Sequence, residues 1–324
     1  MTHRWRQIQL KNVKSWEKLA DFLHLTEEDR KHILPKSAFS LSLPLRLAEK
    51  IEKGTLEDPI LKQYLPVQKE LRVSSGFSLD PVQDQSFRKA PRLLHKYEAR
   101  ALLITTGACA MHCRYCFRRH FPYEGGALGY EEELELIRQD SSLREIILSG
   151  GDPLSLGNEE LQTLLQKLDQ MPSLQRVRFH TKFPIGIPER IDEPFLQMLK
   201  DMQKQVIFVI HVNHPKELDD EIFTALKKVQ KLGIPVLSQS VLLRGVNDQV
   251  AVLKNLFETL SDHGILPYYL HQLDPVEGAS HFEVPQEEGV ALMQELSKHL
   301  SGYSLPRYAK EIPGRPSKVL ISCS

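Results

Sequence analysis

Three of the 4 cysteines in this 324-residue sequence fall in one short run, Cys109-Ala-Met-His-Cys113-Arg-Tyr-Cys116. Thiolates are soft ligands that select iron–sulfur clusters, zinc or Cu(I). Three of them in one loop, at spacings of four and three, can converge on one 4Fe-4S cluster and leave one iron open to an outside ligand. The competing readings are a zinc knuckle or incidental thiols. Structural zinc takes four protein ligands, whereas Cys323 lies far from the other three, so the cluster is favoured. Clustered thiols of this kind belong to a reducing compartment. Arg114, Arg118 and Arg119 beside them either keep thiolates ionised or receive substrate anions. A second candidate segment is Ser149-Gly150-Gly151-Asp152-Pro153, whose glycines would let the backbone approach a ligand closely. Taken alone, it also reads as a plain turn.

These residues need elements to hold them. From Ala99 onward, apolar runs alternate with amphipathic stretches. Strands are expected at 101–105, 145–149, 176–180, 206–211, 236–242 and 266–270. Helices are expected near 131–140, 158–170, 191–203, 216–232, 249–263 and 285–301. Such alternation means βαβ units and a parallel sheet. Six units are too few for a closed eight-stranded barrel, so the fold class is α/β, a partial (β/α)6 barrel of the TIM type. Its active site belongs at the C-terminal ends of the strands. The cysteine loop follows the first of these strands and the Gly-Gly-Asp-Pro segment the second.

Residues 1–95 read as an N-terminal helical module. Trp16, Leu19, Ala20 and Leu23 share one stripe of a helix running to Leu34 and ended by Pro35, and 44–53 forms a second helix. Residues 74–92 are turn-rich, and no strand alternation stands out. The division is then 1–95 helical module, 96–310 barrel and 311–324 C-terminal segment.

Lys+Arg and Asp+Glu each total 42, which argues against a nucleic-acid binder held by a broad basic face. No apolar run approaches the ~20 residues of a membrane span. The N-terminus lacks a signal peptide's apolar middle. The expected compartment is the cytoplasm.

CxxxCxxC directly after a first barrel strand resembles the radical S-adenosylmethionine (SAM) superfamily. That resemblance implies that SAM chelates the open iron and is cleaved by one electron to a 5′-deoxyadenosyl radical. It also implies that Ser149, Gly150, Gly151 and Asp152 bind SAM. Further segments, CFRRHFP, SGGDPL, HVNHP (211–215), QSVLLRGVND (239–248), PYYLHQLDPVEGASHF (267–282) and PGRPSK (313–318), resemble lysine 2,3-aminomutases over nearly the whole chain. Pyridoxal 5′-phosphate (PLP) is therefore implied as well, with Lys318 as its Schiff-base lysine and Lys96, Arg100 and His211 near it. Read without the family, Lys318 is an exposed lysine and His211 a core histidine.

The resemblance implies L-lysine as substrate, its carboxylate on Arg118 and its ε-ammonium on Asp248 and Glu311. Asp248 also has the look of a helix N-cap before Gln249. Glu311 stands where relatives carry an aspartate. The reaction implied moves the amino group from the α to the β carbon. The wording CFRRHFPY, LLHKY and EIPGRPSK, with the chain stopping soon after Lys318, is that of the short bacterial form. This form makes (R)-β-lysine for a partner ligase that modifies elongation factor P. An electron donor of flavodoxin or ferredoxin type is implied. The alternatives are a free-standing aminomutase supplying β-lysine to metabolism or acting on another amino acid, a radical SAM enzyme modifying RNA or protein, and a non-catalytic Fe–S or zinc binding module.

Overall fold

The computed structural model describes residues 3–123 and 129–323. Ten strands form one sheet whose spatial order follows the chain. They are β1 (Arg88–Ala90), β2 (Leu93–Tyr97), β3 (Arg100–Thr106), β4 (Glu145–Gly150), β5 (Arg176–Thr181), β6 (Gln205–His211), β7 (Val236–Val241), β8 (Leu266–His271), β9 (Arg307–Lys310) and β10 (Val319–Leu320). Strands β3 to β9 run parallel, and β1–β2, β2–β3 and β9–β10 pair antiparallel. The first and last strands do not pair, so the barrel is open.

The N-terminal helices are α1 (Arg4–Leu10), α2 (Trp16–Phe22), α3 (Glu27–Arg30), α4 (Leu45–Glu49) and α5 (Pro59–Tyr64). The barrel carries α6 (Glu131–Gln139), α7 (Asn158–Asp169), α8 (Phe183–Gly186), α9 (Glu193–Asp201), α10 (Asp220–Gln230), α11 (Val250–Asp262) and α12 (Gln286–Ser297). Six parallel strands, β3 to β8, are thus each followed by a long helix, which is the partial (β/α)6 barrel expected. Local chemistry starts these helices. Asp192 and Asp219 accept from the backbone of Phe195 and Ile222, capping α9 and α10. Apolar spacing then decides which face is buried. In α7, Leu161, Leu164, Leu165 and Leu168 form one buried stripe, each contributing about 2 kcal/mol of transfer free energy.

Two expectations are corrected. The helix expected from Trp16 to Leu34 is two short ones, because His24 adopts φ 55° and Thr26 with Asp29 forms a capping box that starts α3. The turn-rich stretch and the residues after it hold β1 and β2, and the C-terminal part holds β9 and β10. All four are short and lie at the two ends of the sheet, where two-residue alternation barely develops. The N-terminal helices do not carry a separate core. Trp5, Leu19, Leu47, Ile60 and Tyr64 belong to the same buried cluster as Leu103, Leu148, Phe179 and Phe208 of the barrel. No helix among the described residues is long and apolar enough to cross a membrane.

Candidate active site

The cysteine loop leaves β3 and is tied down from two sides. On the barrel side, Gly151 N donates to Thr106 O at 2.7 Å and Asp152 N to Ala108 O at 2.8 Å. The glycines are needed for this contact. A Cβ on Gly151 would lie 2.3 Å from the Ala108 carbonyl oxygen, and Gly150 has φ +114° with Thr106 O at 2.7 Å from its Cβ position. The close approach read from the sequence is therefore first of all to the cysteine loop itself. On the N-terminal side, Arg114 is fully buried. It pairs with Glu70, donates to Phe39 O at 2.6 Å, and shares Glu70 with Arg119, whose Nη2 lies 2.6 Å from that carboxylate. Arg114 is spent on Glu70, whereas Arg119, with Arg118, still favours the Cys116 thiolate. Burial then pushes the Cys109 and Cys113 thiols up, and Cys116 up to about 11.

Cys109, Cys113 and Cys116 line one wall of a cavity of about 280 Å³ inside the open barrel. Each of the three lies within electrostatic reach of another. Yet among the described residues no three His, Cys, Asp or Glu groups converge closely enough to hold a single metal ion. Three thiolates in one cavity lining can instead each bind a different iron of a polynuclear cluster.

Most of the expected site residues meet in this cavity: Lys96, Arg100, Arg118, Ser149, Gly150, Gly151, Asp152, His211, Glu311 and Lys318 all line it. It runs from the strand C-termini down to Arg100, at the start of β3, so it is deeper than a site confined to the strand ends. Asp152 is a builder of the wall. Its carboxylate accepts from Thr181 Oγ1 at 2.7 Å and from the backbone of Leu154, Lys182 and Phe183 at 3.0, 2.8 and 3.0 Å. Burial pushes this carboxyl up to about 6, against the pull of those four donors.

At the opposite wall Lys318 Nζ lies 3.0 Å from Glu311 Oε2, and Tyr97 OH donates to the other Glu311 oxygen. Burial would raise the Glu311 carboxyl, but Lys318, Tyr97 and Lys96 outweigh it and hold it below the usual range. Lys96 Nζ sits 2.8 Å from Asp84 Oδ1, and Arg118 Nε 2.8 Å from Asp84 Oδ2. The Arg118 Nη1 faces Ser149 Oγ at 3.4 Å. Arg100 stacks over the Tyr97 ring at 4.6 Å and has no carboxylate partner among the described residues.

The cavity floor is a layer of neutral histidines. Gln239 contacts His180 Nδ1 at 3.3 Å, His211 Nε2 at 2.5 Å and His271 Nε2 at 3.2 Å. Burial lowers all three, His211 to about 3. The His180 Nε2 is buried without a hydrogen-bond partner, so a bound group has an unclaimed polar atom to meet.

Asp248 does not line the cavity. Its carboxylate pairs with Arg244 at 3.2 Å, and Gln249, not Asp248, holds the N-cap position of α11. An acid that does line the cavity, with Asp84, Asp152 and Glu311, is Asp274, just after β8. Burial pushes its carboxyl up to about 6, although Lys318 pulls it down. The sequence reading missed Asp274, since Leu-Asp-Pro reads as a turn. Its place three residues past the β8 end was the available signal.

The radical SAM superfamily profile matches residues 103–256. The chain is 42% identical to an L-lysine 2,3-aminomutase of Haemophilus influenzae over 98% of its length and 95% of that protein. It is 44% identical to one of Escherichia coli over 87% of this chain and 83% of that one.

This chain belongs to the lysine 2,3-aminomutase family of radical SAM enzymes. A more distant member, from Clostridium subterminale, is 32% identical over 98% of this chain and 77% of its own. As a member of this family the protein is an isomerase that uses a 4Fe-4S cluster and SAM. The cavity fits both, with three thiols in its lining and glycine backbone beside them.

Proposed function

We propose that the protein converts L-α-lysine to (R)-β-lysine, with Lys318 carrying PLP. The observation that carries this reading is a single cavity with three thiols at one wall and an amine–carboxylate cluster, Lys318, Glu311 and Asp274, at the other. When bound, the cluster with SAM supplies a carbon-centred radical, and PLP supplies a conjugated system across which nitrogen can move.

The protein's residues do the positioning. Lys318 Nζ is the amine within the cavity, and Glu311 orients it at 3.0 Å. Arg100, without a carboxylate partner among the described residues, and Lys96 supply positive charge for a phosphate. Arg118 commits its Nε to Asp84 and turns Nη1 to Ser149, which leaves Nη2 for the substrate carboxylate. Asp274 and Glu311 hold the substrate's distal ammonium, a pair of acids that favours a cationic amino acid. Asp274 takes the role first given to Asp248. Neutral His180, His211 and His271 give a polar floor without added charge. Burial of the cavity within the barrel excludes water from the reacting carbons.

The wording of the short form, with the higher identity to the Haemophilus and Escherichia relatives than to the clostridial one, supports β-lysine supply to elongation factor P through a ligase, in the cytoplasm. The test is anaerobic incubation of reconstituted protein with PLP, SAM, dithionite and L-lysine, followed by NMR and chiral chromatography. (R)-β-lysine is expected, and no β-lysine from fully loaded protein would sink the substrate assignment. Co-expression with elongation factor P and its ligase should add the mass of one β-lysine to the factor. A factor of unchanged mass would remove that role.

A further inference from the structure

The back of the cysteine loop is covered by a segment whose charges the site does not use. Helix α1 and the residues after it lie directly against the loop. Gln9 Nε2 donates to the Cys109 carbonyl at 3.4 Å, and Asn12 Nδ2 to the Ala110 carbonyl at 2.6 Å. On the solvent side of this segment Arg4, Lys11 and Lys14 are exposed, and Leu10 is 71% exposed. Arg4 opens α1 and Lys11 caps its C-terminal end.

No Asp or Glu precedes Glu17 in the sequence. Among the described residues neither Arg4, Lys11 nor Lys14 has an ion pair. A second acid-free stretch, from Arg30 to Ala48, also packs on the loop. Within it Lys36 and Ser40 are exposed, and the Ser40 carbonyl lies 2.8 Å from His112 Nδ1. His112 is only half-buried, stacks on Phe39, and directly precedes Cys113. Lys14 is close enough to act on the charge of His112. The loop therefore reaches solvent at His112, close to Lys14 and beside a segment that exposes Arg4, Leu10 and Lys11. In a protein of zero net charge, this face is a local concentration and not an overall bias.

We propose that this face, Arg4, Lys11, Lys14 and Lys36 around Leu10 and His112, docks an acidic one-electron carrier protein that reduces the cluster. The inference rests on the family's cluster chemistry. The carrier loses one electron and the cluster gains it, and no bond is made or broken at the interface. Local positive potential steers an acidic partner and raises association rates by about 10- to 1,000-fold, with steep loss in salt. A small apolar centre within a charged rim suits a brief redox encounter, which buries less surface than a stable complex.

The experiment compares wild type with an Arg4→Glu/Lys11→Glu/Lys14→Glu variant, both with the reconstituted cluster. A second variant, Lys227→Glu/Lys228→Glu, moves the same kind of charge change to exposed positions of α10. Anaerobic stopped-flow follows cluster reduction by flavodoxin hydroquinone and, separately, by dithionite, across a salt series. The first variant should be reduced by flavodoxin at least about 10-fold more slowly at low salt, with little salt dependence left. Its reduction by dithionite, and its dithionite-driven β-lysine formation, should match wild type. An unchanged flavodoxin rate overturns the proposal. An equal slowing with dithionite overturns it too, because the substitutions would then be disturbing the cluster. An equal slowing in the α10 variant would make the effect one of net charge and end the assignment to this face. If wild type makes no β-lysine with dithionite, the proposed reaction fails while the flavodoxin rates still decide the docking face.

Discussion

Most of the cavity's acids and cations are paired with one another, Lys318 with Glu311 among them. Lys318 is the amine assigned to PLP, so Lys318→Ala should abolish the PLP imine absorbance and leave the cluster spectrum intact. A retained imine band would mean that another lysine carries it. Asp274 is the stricter test, because it displaces Asp248. A hydrogen bond to a charged group contributes about 1.5–3 kcal/mol. Asp274→Asn should therefore raise KM for lysine about 10- to 100-fold, while Asp248→Asn changes it little. Comparable effects of the two would return Asp248 to the site. The pH dependence has a definite sign. Burial lifts the Asp274 carboxyl to about 6, so it is charged above that pH and neutral below. Affinity for a cationic substrate should fall as pH drops through about 6, by up to tenfold per unit. A KM that stays flat from pH 5 to 7 would place the ammonium elsewhere.

The glycine contact between β4 and the cysteine loop shows how one element shapes another. Gly151→Ala places a methyl 2.3 Å from the Ala108 carbonyl oxygen. Such overpacking costs about 1–3 kcal/mol, and here the loop that carries Cys109 must yield. Iron content after reconstitution should drop while PLP binding at Lys318 persists. Full iron loading would show that the loop tolerates the shift. Legibility from sequence follows the same physics. Strands β3 to β8 could be read closely because each is an apolar run followed by a helix. The two edge strands could not, since Arg-Lys-Ala and Val-Leu are too short to show a period. Thiols announce themselves by residue type and spacing. Asp274 does not, because its role comes from β8 and the C-terminal segment packing around one cavity, a relation between positions far apart in the chain.

One apolar core joins the N-terminal helices to the barrel, and the buried Arg114–Glu70–Arg119 group pins that junction at the cysteine loop. Removing one partner of such a group leaves charge buried and uncompensated, at a cost of about 3–5 kcal/mol. Glu70→Ala should thus lower the urea midpoint of the whole protein in a single transition. Two separate transitions would mean that the N-terminal helices and the barrel unfold independently.

Because every strand pairs with its immediate neighbours in the chain and β1 never meets β10, the sheet can be laid down in the order of synthesis. Its pairings span one βα unit at a time, which keeps contact order low for a protein of this size. Strands β3 to β5 can mature early and present the cysteine loop, while Lys318, beside β10, arrives late. Iron could then enter an unroofed cavity before the lysine wall closes over it. Pulse-labelled hydrogen exchange during refolding should protect β3 to β5 before β9 and β10, and simultaneous protection would refute this order.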